Sequence, residues 1–147
     1  MIHTITFTVP GIPAGQGSMR PFKHARTGKA RMKAENRKAL LAWRAAIKLF
    51  ASQQWGGRRP TENAVAVHAD FKFARPESHY RTGKYAGQLK ATAPKRMKAK
   101  KNDLDKLLRA LLDALTGLVY MDDGQVDTLS ATKRYDNAPG MDVFITI

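Results

Sequence analysis

The apolar residues at the start of the chain alternate with polar ones. Ile5, Phe7 and Val9 fall on one face and threonines on the other, which predicts a strand over residues 2–9. Residues 10–29 are rich in Gly, Pro and Ser and read as a loop. Over about 33–52, Leu40, Trp43, Ile47 and Phe50 recur at helical spacing. Lys38, Arg44 and Lys48 interrupt them, so this helix should show one basic face, with Trp43 in the core. Gly56, Gly57 and Pro60 break it. Alternation returns at 64–73, where Val65, Val67, Ala69, Phe71 and Phe73 share a face and predict a second strand. His68 then faces outward on that strand.

Residues 75–101 have no periodicity. They carry Arg81, Lys84, Lys90, Lys95, Arg96 and Lys98 together with Tyr80 and Tyr85. A loop beyond about 12–15 residues is usually functional or disordered. This one has two readings, a basic surface that tracks phosphates and stacks on bases, or a solvated insertion. The clearest element is 102–116. Leu104, Leu107, Leu108, Leu111, Leu112, Leu115 and Leu118 form one apolar stripe, and Gly117 supplies the stop. A short segment at 118–121 leads to the turn-like Asp122-Asp123-Gly124, and 125–135 and 141–147 read as strands. The expected fold is α/β of the α+β type: a single domain over 1–147 in the order β-α-β-α-β-β, with the third strand short. A mixed sheet would carry two main helices.

Charge changes this picture. The chain has 26 Lys and Arg against 12 Asp and Glu, a net of +14. Residues 1–100 hold 21 basic and 4 acidic side chains, whereas 101–147 hold 5 basic and 8 acidic. A basic body attracts a polyanion, most often nucleic acid. Cysteine is absent, which excludes disulfides and thiolate chemistry. The four histidines are scattered without zinc spacing, and no P-loop or dinucleotide fingerprint occurs. The start lacks a signal-peptide pattern, and no stretch approaches the roughly 20 apolar residues of a membrane span. A cytoplasmic protein without a membrane partner is expected.

The acids concentrate where the basic charge is lowest. Asp103 and Asp105 flank Leu104 at a helix start, and aspartate there can simply cap the helix. Asp122-Asp123-Gly124 can simply be a tight turn. Yet a cap needs one Asp, and so does the turn. The predicted helix is about 22 Å long, and a strand returning along it would bring 122–123 beside Asp103 and Asp105. Carboxylates gathered in that way repel one another without a cation. Mg²⁺, which takes oxygen ligands, waters and phosphates, is the natural one. Arg109, four residues after Asp105, either clamps transition-state charge or pairs with Asp105 or Asp113. Asp113 reads as structural, the partner of Arg109.

The run Asn102-Asp-Leu-Asp-Lys-Leu-Leu-Arg-Ala-Leu-Leu-Asp-Ala-Leu-Thr-Gly117, followed by Asp122-Asp-Gly-Gln-Val126, resembles the signature of RusA-type Holliday junction resolvases. Gly11-Ile-Pro13 with Arg20-Pro21 is similar to that family's first loop. The resemblance implies a homodimeric, Mg²⁺-dependent endodeoxyribonuclease, with Mn²⁺ as a substitute, that nicks paired strands of four-way DNA junctions. Such proteins are often encoded by phages and prophages. Asp103, Asp105 and Asp123 would be the metal-binding, catalytic carboxylates, with Asp122 adjacent and Arg109 alongside. Two positions depart from the family pattern. Lys106 stands where Asn is usual, and Arg109 where Lys is usual. Arginine is effectively always protonated, so a charge clamp survives the change and a proton-donor role does not.

A broad basic surface should surround these acids, drawn from Arg20, Lys23, Arg26, Lys29, Arg31, Lys33 and the 81–101 loop. Contacts of this kind set affinity and salt dependence, not sequence choice. A four-way junction has near two-fold symmetry, which suits a two-fold dimer. The competing reading is a non-catalytic basic nucleic-acid-binding module whose acids serve only caps and turns.

Overall fold

A computed structural model describes residues 3–17, 29–98 and 101–147, with side chains from residue 36 onward in the first helix. The elements follow the expected order. Strand β1 spans Thr4–Pro10, helix α1 Lys29–Trp55, β2 Val65–Phe73, α2 Leu104–Leu115, β3 Val126–Tyr135 and β4 Gly140–Thr146. α1 runs longer than its apolar pattern, from 29 to 55 rather than 33 to 52. The third strand is not short: at ten residues it is the longest of the four.

The four strands form one mixed sheet in the order β1-β4-β2-β3. β4 lies antiparallel to both β1 and β2, and β2 pairs parallel with β3. A parallel pair requires a crossover, and here α2 makes it. Both helices cover one face of the sheet. Trp43, Ile47, Ala51 and Trp55, spaced every fourth residue on α1, meet Ile5, Phe7 and Val9 of β1 in a single core. Leu107, Leu111 and Leu115 of α2 join the same core, while Leu104, Leu108 and Leu112 pack at its margin, half-buried. The predicted leucine stripe is therefore divided into a buried line and a partly open flank. Gly140 sits where β4 begins against β1. A Cβ there would come within 2.6 Å of the Val9 carbonyl oxygen, so the close strand approach needs glycine.

The opposite face of the sheet is open and polar. Thr4, Thr6 and Thr8 of β1 and Thr128, Ser130, Thr132 and Arg134 of β3 are exposed. His68 lies on this face, as its strand position implied. Its ring meets Ser130 Oγ at 2.6 Å and Asp70 Oδ1 at 3.0 Å. Partial burial raises the Asp70 carboxyl pKa, but hydrogen bonds from Thr132 and His68 outweigh it, and the net pKa is below the ordinary aspartate value. Among the described residues, no helix is long and apolar enough to cross a membrane.

Candidate active site and basic surface

Asp103 stands at the N-cap position of α2 in an extended conformation, yet its side chain makes no capping hydrogen bond. Among the described residues its side chain makes a loose, half-exposed pair with Lys106 at 3.5 Å. Asp105, in the first helical turn, is exposed. The capping explanation of this pair is thus not realised in the hydrogen bonding. The residue before them, Asn102, adopts φ 68°, a left-handed conformation that Asn tolerates better than most residues. Its carbonyl accepts a hydrogen bond from Lys133 Nζ at 3.1 Å. From the other side, Gln16 N–H donates to the Lys106 carbonyl at 3.0 Å. Gly15 comes so close that a Cβ would lie 3.0 Å from Lys106 Cβ. The N-terminal loop is therefore packed onto the start of α2.

The second pair divides its duties. Asp122 caps the short 3-10 turn Asp123–Gln125: its Oδ1 accepts from Gly124 N–H at 2.7 Å. Gln125 closes the reciprocal half, its Oε1 accepting from the N–H groups of Met121 and Asp122, each at 2.9 Å. Its Nε2 donates to the carbonyls of Thr61 at 2.8 Å and Asn63 at 2.9 Å. Asp122 thus has the turn role as its visible occupation, and Asp123 is left exposed with a carboxylate that this network does not use. Sequence reading missed Gln125 as the residue that fixes the Asp123 turn. The signal was its place between the turn and the strand, but two of its four amide contacts reach a loop more than sixty residues earlier.

The two acidic pairs do not meet within one chain. Among the described residues, no three His, Asp or Glu side chains are placed to hold a metal ion together. The reason is the path of the chain after α2. Thr116 N–H and the Tyr120 hydroxyl both donate to the Leu112 carbonyl, and Gly117 N–H bonds to the Tyr120 carbonyl, so the chain turns back at once at the helix end. Burial raises the pKa of the Tyr120 hydroxyl strongly, which keeps it a neutral donor. Thr61 N–H then binds the Val119 carbonyl, and Gln125 fixes the Asp122–Gln125 turn against the same loop. The acids therefore precede the returning strand rather than follow it. β3 starts beside this turn and reaches the start of α2 only at Lys133. The helix rise and the strand rise both put the two pairs roughly 20 Å apart.

Arg109 is exposed and forms no ion pair with Asp105 or Asp113 among the described residues, so the expected structural pairing of Arg109 with Asp113 is not present.

The 75–101 segment is not a featureless loop. Tyr80 bridges Leu89 in antiparallel fashion. Arg81 N–H donates to the Gln88 carbonyl at 2.7 Å and Lys90 N–H to the His79 carbonyl at 2.9 Å. Gly83 and Gly87, with φ of 66° and 90°, make the tip. Arg75 ties this hairpin to the sheet: its Nη1 donates to the Pro94 carbonyl at 2.7 Å, and its guanidinium lies 4.5 Å from the centre of the Tyr135 ring. Since Tyr135 ends β3 two residues after Lys133, the hairpin stands at the same end of the sheet as Asp103. Arg81, Lys84, Lys90, Lys95, Arg96 and Lys98 are all exposed, and Arg81 stacks on the exposed Tyr85 ring at 4.0 Å. Arg20, Lys23 and Arg26 lie outside the described residues. Lys29, Arg31 and Lys33 fall in the first turns of α1, and their side chains also lie outside the description.

Comparison with known proteins agrees with the motif. A protein of Bacillus subtilis strain 168, YqaN, itself described as uncharacterized, is 32% identical over 141 residues, which is 96% of this chain and 94% of that protein. The family described as Endodeoxyribonuclease RusA matches residues 10–146, from the end of β1 to the end of β4. The chain therefore belongs to the RusA endodeoxyribonuclease family.

Proposed function

We propose that the chain is an Mg²⁺-dependent, structure-selective endodeoxyribonuclease that resolves Holliday junctions by paired phosphodiester hydrolysis, acting as a homodimer in the cytoplasm. The observation that carries this reading is the separation of roles among the acids. Asp122 is occupied by its turn, whereas Asp105 and Asp123 are exposed and Asp103 holds a loose pair. Three carboxylates relieved of structural duty, in a chain of net charge +14, call for another explanation.

The donor set fits a hard cation, since it is oxygen-only and free of thiolate. Its placement in a single chain does not fit, because one ion needs its ligands at about 2 Å. Two copies related by a two-fold axis remove the conflict. The helix-start pair of one can then face the Asp123 turn of the other, twice. Bound there, Mg²⁺ would neutralise the scissile phosphate and lower the pKa of an attacking water. Arg109 supplies a fixed positive charge on the Asp105 face of α2, suited to the added charge of the transition state. The basic hairpin, beside the α2 start, holds the phosphate backbone.

Synthetic four-way junctions with and without Mg²⁺ test this reading. Paired nicks that vanish in Asp103→Asn and Asp123→Asn, with junction binding retained, are expected. Tight binding with no cleavage under any divalent metal would instead support a non-catalytic nucleic-acid-binding module.

A further inference from the structure

We infer that the pocket between the basic hairpin and the β3–β4 turn captures one unpaired guanine of the bound DNA, read by Asp136 and Asn137. The inference rests on the DNA-binding part of the proposed function and adds a base preference to it.

The pocket has a volume of about 450 Å³, within the range of small-ligand sites, and is lined by Arg75, Tyr80, Leu89, Tyr135, Asp136 and Asn137. The turn is anchored at both ends. Asp136 N–H donates to the Phe73 carbonyl at 2.9 Å, and the Pro139 carbonyl accepts from Gly11 N–H at 3.2 Å. The Tyr135 ring is already engaged, with the Arg75 guanidinium over it and the His79 ring edge-on at 5.3 Å. The half-buried Tyr80 ring has no such partner among the described residues, and Leu89 is 47% exposed. An aromatic ring and an apolar side chain left open beside a cationic hairpin suit the flat face of a base.

Asp136 selects which base. An acid in this position repels phosphate, so it does not serve the DNA backbone, but a carboxylate accepts from the N–H groups of a base edge. The Ala138 backbone N–H and the Arg134 guanidinium hold its pKa below the ordinary aspartate value, so it is ionised and acts only as an acceptor. A carboxylate has about four acceptor sites. Arg134 Nη1 fills one on Oδ2 at 2.8 Å, and Ala138 N–H fills one on Oδ1 at 3.0 Å. That leaves a place on each oxygen. Guanine is the one base of the four whose pairing edge sets two ring-side N–H donors, on N1 and N2, next to each other. Its O6 can then accept from the exposed Asn137 amide, which makes no hydrogen bond among the described residues. Adenine and cytosine would set an acceptor nitrogen against the second carboxylate oxygen, and thymine a carbonyl, each of them repelled. Because its pairing edge is used, the guanine has to be unpaired, and a base at a branch point is cheaply unpaired. Tyr135 lies two residues past Lys133, about 7 Å along the strand, so the captured base lies near a phosphate positioned at Asp103.

Thymine oligonucleotides of equal length, each with one central test base, isolate the pocket because their phosphate contribution cancels. Binding is measured with a chelator present, so cleavage plays no part. Guanine should bind about tenfold tighter than thymine, adenine or cytosine. Hypoxanthine, which is guanine without its 2-amino group, should lose most of that advantage, and 7-deazaguanine, whose pairing edge is intact, should keep it. Asp136→Asn retains an oxygen for Ala138 N–H but offers one acceptor atom instead of two. It should bind guanine and hypoxanthine alike, with circular dichroism unchanged. Free dGMP should compete far more weakly than the oligonucleotide, because it lacks the neighbouring phosphates; equal competition would assign the pocket to a free nucleotide and overturn its role on DNA. Equal affinity for every test base, or a guanine preference that survives in Asp136→Asn, overturns the inference and leaves the nuclease reading intact where four-way junctions are still bound. A chain that binds neither oligonucleotide nor junction overturns both.

Discussion

Lys133 Nζ donates to the carbonyl oxygen of Asn102 at 3.1 Å, fastening the residue before Asp103 to the far part of the edge strand. The opposite end of that strand follows directly from the Asp123 turn. One helix and one strand, running in opposite directions, thus hold the two acidic groups apart at a set spacing. Among the described residues neither group alone gathers three ligands, and the proposed active unit is therefore a pair of chains.

That arrangement predicts complementation. Asp103→Asn and Asp123→Asn homodimers should each be inactive on junctions. Mixed and refolded together, they should recover nicking, because a heterodimer carries both substitutions in one shared site and none in the other. Product should be mainly single nicks rather than paired cuts. A mixture as inactive as its parents would place the site within one chain.

Gln125 governs how Asp123 is presented. Gln125→Glu keeps the oxygen that accepts from Met121 and Asp122 but sets a carboxylate oxygen against the Thr61 and Asn63 carbonyls. Losing these partly exposed bonds should cost about 1–2 kcal/mol of stability. Cleavage should fall tenfold or more, while junction binding changes far less. Urea unfolding and single-turnover kinetics separate the two effects, and unchanged cleavage would remove Gln125 from the support of the site.

The hairpin should act through charge. Combined Arg81→Ala, Lys84→Ala and Lys90→Ala substitution should weaken junction binding and make the dependence of log affinity on log salt shallower. The hairpin's backbone bonds do not involve these side chains, so thermal stability should change little. A salt slope equal to that of the unsubstituted chain would exclude the hairpin from the DNA contact.

Asp70 predicts an acid limb in stability. Its pKa is depressed in the folded chain, so its contribution is fully present above the unfolded value of 3.8 and is lost as pH falls through the lower folded value. The urea midpoint should therefore decline below about pH 4, with little change from this residue between pH 5 and 7. Asp70→Asn should be less stable at neutral pH and converge on the unsubstituted chain in acid. Equal pH profiles would show that the His68–Asp70–Thr132 network stabilises nothing.

Much of this protein was legible in one dimension. Alternation placed β1 and β2 because strand side chains repeat every two residues. The leucine spacing placed α2, and the basic body with its acidic C-terminal third pointed to DNA and to a cation. The spacing Asp103-Leu-Asp105, with Asp123 beyond the helix, named the candidate carboxylates and their family. Sequence could not say which acid caps and which is idle, because Asp103 and Asp122 both occupy capping positions. Only the hydrogen bond from Gly124 to Asp122, and its absence at Asp103, separated them. Nor could it place the Asp122–Gln125 turn. That depends on Gln125 reaching the carbonyls of Thr61 and Asn63, and contacts between distant segments leave no periodic trace. Local patterning thus determined the elements and the chemistry, while long-range hydrogen bonds decided that the acids stand at opposite ends of α2.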